Sequence, residues 1–75
     1  MTDTMPLVMI SEGLECTVHS VEGKTSICAR LREMGFVDQA PIRVLSVDGR
    51  GLIISVNGSR LALSRGLASR IIVSC

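Results

Sequence analysis

Few side chains in this sequence could make or break a bond, and they are scattered. His19 is the single histidine, with Glu15, Thr17 and Glu22 nearby; cysteines stand at 16, 28 and 75; Gly23-Lys24-Thr25 looks like the end of a phosphate loop. Acid–base or nucleophilic catalysis needs a reactive group with a partner within hydrogen-bond reach. Cys16 and His19 are three positions apart, so on a strand they point to opposite faces. Where a phosphate loop needs its first glycine, this chain has Val18. The expectation is a chain with no catalytic residues.

A transition-metal site asks for several converging imidazole and carboxylate ligands. One histidine and dispersed acids do not supply that within a subunit. His19 with Glu15 or Glu22, or a cysteine of another chain, could build one only between molecules, so no resident metal or cofactor is expected. His19 reads as a solvated strand residue. Three cysteines cannot all pair within one chain, and no two have the C-x-x-C spacing. Reduced thiols of a cytosolic protein are therefore expected, with Cys16 and Cys28 as small core residues and Cys75 free to react.

The elements that position these groups follow from size and pattern. A chain of 75 residues has room for one domain, 1–75. Of its residues 47% are apolar, with one Phe and no Trp or Tyr, so the core must be aliphatic. Eight basic and seven acidic side chains nearly cancel, which leaves no positive field for nucleic acid. The missing aromatics also exclude base stacking and proline-rich peptide grooves. The longest apolar stretch, Pro6 to Ile10, is too short to span a bilayer, and no signal-peptide pattern precedes it. A cytoplasmic protein that does not insert into membranes is expected.

Along the chain, residues 1–5 read as a frayed start. Leu14, Cys16 and Val18 alternate with Glu15, Thr17 and His19, the period of a half-buried strand over 14–21. Ile27, Leu31 and Met34 share one face of a short helix over about 25–34, which Thr25 or Ser26 can cap. Gly35 is positioned to stop it in a left-handed conformation, with Phe36 folding back on Leu31 as in a Schellman ending. From Pro41 the chain is β-rich: 42–47 and 52–56 flank the turn Asp48-Gly49-Arg50-Gly51, and Asn57-Gly58 suits a type I′ hairpin into 60–63. Residues 64–68 form a single helical turn, and 70–74 a last strand. Five short aliphatic strands with one helix hide their core by curling into a small, mainly β, SH3-like barrel.

The pattern then resembles a known family. Leu7-x-x-Ile10-x-x-Gly13-Leu14-Glu15, Arg30-Leu31-Arg32-Glu33-Met34-Gly35-Phe36, Ile42-x-Val44, Gly58-x-x-x-Ala62-Leu63 and Ala68-x-x-Ile71-x-Val73 are similar to the successive motifs of FeoA proteins, over about residues 7–73. Two departures stand out. Asp38-Gln39 replaces the family's Pro-Gly, so either this turn uses a different backbone geometry or Gln39 takes the one that glycine supplies, and a shorter turn at 48–51 replaces Gly-Asp-Pro. The resemblance implies an SH3-like fold and a non-enzymatic accessory role in bacterial ferrous-iron uptake. The implied partner is the cytoplasmic, GTPase-containing part of the FeoB transporter, which would recruit the chain to the inner membrane face. Two alternatives are a detached regulatory barrel akin to the C-terminal domain of iron-dependent repressors and a small metal-binding homo-oligomer. The segment expected to meet a partner is Arg32, Met34, Gly35, Phe36 and Val37, with the hairpin 43–56 as a second surface because both faces of 42–47 are apolar.

Overall fold

A computed structural model describes residues 3–75. Six strands, β1 (Thr4–Pro6), β2 (Glu15–Val21), β3 (Pro41–Val47), β4 (Gly51–Val56), β5 (Ser59–Ser64) and β6 (Ile71–Ser74), are joined by a 3-10 turn at Leu7–Met9 and helices α1 (Thr25–Glu33) and α2 (Arg65–Ala68). All pairings are antiparallel, in the order β1-β6-β2-β3-β4-β5. The mainly β expectation holds, with one strand more than the five expected. The start of the chain is not frayed at Thr4–Pro6, which pair with Ser74, Val73 and Ile72; residues 1–2 lie outside the described residues. That partner is nearly the whole chain away, so no local pattern marks it.

Local chemistry accounts for most of the remaining elements. Asn57 (φ 52°) and Gly58 (φ 77°) both take positive φ, as a type I′ turn demands. The 48–51 turn is tied by the Asp48 carboxylate, which accepts from the backbone N–H groups of Arg50 (2.7 Å) and Gly51 (3.0 Å). Ser64 caps α2 by accepting from the Leu67 N–H at 3.2 Å. Gly51 admits no side chain, since a Cβ there would collide with the Leu63 carbonyl oxygen on β5. The helix cap differs from expectation: Lys24, not Thr25 or Ser26, precedes the first turn, and no side chain bonds to it.

The core is wholly aliphatic apart from Phe36 and Cys16, and no polar or charged residue is buried among the described residues. Val18, Ile42, Ile54, Ile71 and Val73 line its centre from four strands, and Leu31 closes it from α1. Leu14 departs from expectation. It precedes β2 and is 49% exposed, although its carbonyl accepts from the Val44 N–H of β3 at 3.1 Å. Bulges interrupt two ladders, at Val18/Ser20 on β2 and Val44/Ser46 on β3. Each leaves one residue unpaired, His19 and Leu45, and re-aims its neighbours. Alternation along β3 leaves Ile42 and Val44 inward and Leu45 outward with Arg43, so apolar residues stand on both faces.

The thiols differ as well. Cys16 is buried on β2 as expected, yet it forms a disulfide with Cys75. The pairing of Thr17 with Ser74 sets the two cysteines side by side. Cys28 alone remains free, and it is half-buried rather than a core residue.

Candidate partner-binding surface

The corner that follows α1 is built from local rules. Gly35 takes φ 110°, which opens a Schellman ending: the Phe36 N–H donates to the Leu31 carbonyl at 3.1 Å and the Gly35 N–H to that of Arg32 at 3.0 Å. Phe36 and Leu31 are each 1% exposed. The ring therefore belongs to the core and offers no surface to a partner, which corrects the expectation that Phe36 meets one. Met34 is half-buried and packs against the same cluster.

Val37 differs. Its N–H donates to the Gly35 carbonyl at 2.9 Å and its carbonyl accepts from the Ala40 N–H at 3.0 Å, so the backbone is fully engaged while the side chain stays 47% exposed. The loop is then stitched to β2: the Gln39 N–H donates to the Val18 carbonyl (2.7 Å) and the Val18 N–H to that of Ala40 (2.9 Å). Gln39 reaches this position with φ 64°, the left-handed conformation that a non-glycine residue adopts at a cost of about 1–2 kcal/mol. Gln39→Gly is accordingly expected to raise stability by up to about 1 kcal/mol, seen as a higher urea midpoint at unchanged slope.

Five expected site residues thus separate into three groups. Arg32 and Val37 are exposed, Met34 and Gly35 half-buried, and Phe36 interior. A shallow cavity of about 150 Å³ lies alongside, lined in part by His19, Ser20, Arg32 and Asp38. The bulge on β2 places His19 there, outward as its alternation requires, and this is a neighbour that sequence reading did not add to the surface. The second surface is the outer face of β3–β4–β5, where Leu45 and Ile53 are 39% and 44% exposed. Among the described residues no three His, Cys, Asp or Glu side chains gather as metal ligands. No helix of the described residues is long and apolar enough to cross a membrane.

Comparison with known proteins supplies the family. The FeoA domain model matches residues 5–75. A Methanocaldococcus jannaschii protein named Fe(2+) transport protein A is 34% identical over 68 residues, 91% of this chain and 83% of its own length. The crystal structure of an iron uptake regulatory protein, FeoA, superimposes with a TM-score of 0.89 at 34% identity, covering 96% of this chain and 97% of that one. FeoA of Stenotrophomonas maltophilia, a prokaryotic SH3 domain protein solved with zinc, gives 0.79 at 32% identity, over 97% and 88% of the two chains. A manganese-dependent transcriptional repressor gives 0.88 at 16% identity over 99% of this chain and 42% of its own, a likeness of fold alone. Motifs, aliphatic antiparallel sheet and whole-length match agree: this chain belongs to the FeoA family of ferrous-iron transport accessory proteins.

Proposed function

We propose that the chain acts on the cytoplasmic side of the membrane by binding the cytoplasmic, GTPase-containing part of an FeoB-type ferrous-iron transporter, and that it makes and breaks no bond itself. The observation that carries this reading is Val37. An aliphatic side chain is held out on a fully hydrogen-bonded corner beside Arg32, in a chain whose family serves ferrous-iron transport. A rigid apolar knob beside a charge loses little conformational freedom on docking, and that favours affinity. The likeness to a repressor concerns the barrel, and a fold does not bring a function with it.

The test is capture of this chain by the transporter's purified cytoplasmic domain. Val37→Asp puts a charge on an exposed side chain, so the domain should keep its fold, checked by its thermal melt. Capture is expected to weaken by about tenfold or more, roughly 1.4 kcal/mol. Undiminished capture of the folded variant would remove the Val37 corner from the interface. No capture of the wild type in any nucleotide state of the transporter domain would remove the transporter reading itself.

A further inference from the structure

A sheet that runs β1-β6-β2-β3-β4-β5 has two outer strands, and they are unequal. β1 is three residues long and ends in Pro6, a short edge of the kind that resists further pairing. β5 has six residues, no proline and one charge, Arg60. Its backbone from Ser59 to Leu63 forms no hydrogen bond outside its pairing with β4 among the described residues. Leu63 is buried and Leu61 half-buried, while the others are exposed. An uncovered edge of this length is a template for one more strand.

The face beside that edge specifies the occupant. Register sets Arg43, Ser55 and Arg60 in one cross-strand row and Ile53 against Ala62 in the next, with Gly51 opposite Ser64 beyond. Arg50 lines one surface depression with Ile53, Ala62 and Ser64. The outward surface is thus an apolar middle with arginines at both ends. Of the nearby acids, Glu15 lies 3.8 Å from Arg43, and the Asp48 carboxylate accepts from its own turn. No acid pairs with Arg50, Arg60 or Arg65 among the described residues. A second copy of this chain would bring the same arginines to the same face, where like charges oppose each other.

We infer that the β5 edge takes an extended segment of another protein whose side chains facing the arginine surface run acidic–aliphatic–acidic. Residues two apart on a strand share a face about 6.5–7 Å apart, so the acids of such a segment lie by Arg60 at one end and by Ser64 at the other, where Arg50 stands in the same depression, with the aliphatic residue over Ala62. This surface uses different elements from the Val37 corner, and the inference stands without the transporter reading.

The experiment is a heteronuclear NMR titration of the full chain with acetyl-Thr-Glu-Val-Val-Val-Glu-Thr-amide, and with the same peptide carrying lysine for glutamate. Saturable shifts of the Ser59–Ser64 and Ile53 amides are expected, with about a tenfold preference for the glutamate peptide. The double variant Arg50→Glu, Arg60→Glu, whose own spectrum reports its fold, should reverse that preference. Three results would overturn the inference: no shifts at millimolar peptide, equal response to both peptides, or shifts confined to the Val37 corner. Sedimentation showing the free chain to be a dimer with protected β5 amides would do the same, by making a second copy the occupant.

Discussion

Phe36→Ala is expected to destabilise the domain by about 3–5 kcal/mol, the range for removing a large buried aromatic. Phe36 is the single aromatic residue of the chain, 1% exposed, and the largest of its fully buried side chains. Every other core contributor is aliphatic or smaller, so nothing nearby can swing in to refill the space. A domain of this size starts with little to lose, because it buries only about 60% of the surface that its unfolded chain exposes. Urea denaturation should show a midpoint shift large enough to leave the variant largely unfolded near body temperature. Phe36→Leu keeps most of the volume and should cost far less. Equal midpoints for Phe36→Ala and wild type would mean that the ring is not the keystone of this core.

Reducing the Cys16–Cys75 bond is expected to cost about as much by a different route. The bond joins residues 59 apart in sequence, and the chain-entropy relation gives a loop of that length about 4 kcal/mol. For a domain of this size that corresponds to a fall in melting temperature of about 15–30 °C. The folded state itself should hardly change, because the β2–β6 ladder holds Thr17 against Ser74 with or without the bond; the effect lies in the freer unfolded chain. Cys75→Ser should reproduce the reduced melt in the absence of reductant, while Cys28→Ser leaves the oxidised melt in place. Coincident melts with and without dithiothreitol would show that the bond contributes nothing. At the cytoplasmic location proposed above, thiol reductants work against such a bond, so the reduced melt is the one relevant there.

These two effects also bear on the Val37 corner. Phe36 anchors the corner from below through its contact with Leu31, and Gln39 stitches it to β2. A partner therefore meets a preformed shape, and variants that loosen the core should weaken binding without touching the interface. Binding measurements on Val37 variants need the thermal melt beside them for that reason. The β5 edge depends less on Phe36, since its register is set by the Asn57-Gly58 turn and the β4 ladder.

What could be read from residues alone shares one property: the interactions involved lie within a few positions of each other. The Schellman ending at Gly35 and Phe36, the type I′ turn at Asn57-Gly58 and the inward Cys16 and Val18 all follow from steric limits or strand alternation acting locally, whereas the residues left two geometries open at Gln39 and the structure takes the positive φ. The barrel class followed because short aliphatic strands have no other way to cover their apolar sides. Tertiary structure decided what depends on distant partners. It added β1, which exists through its pairing with β6, and it joined Cys16 to Cys75. It left Leu14 outside and enclosed Phe36 completely. A hydrophobic residue declares its preference for burial in its own chemistry, but whether it is covered depends on which remote segment arrives. The same holds for a free thiol and for an open strand edge.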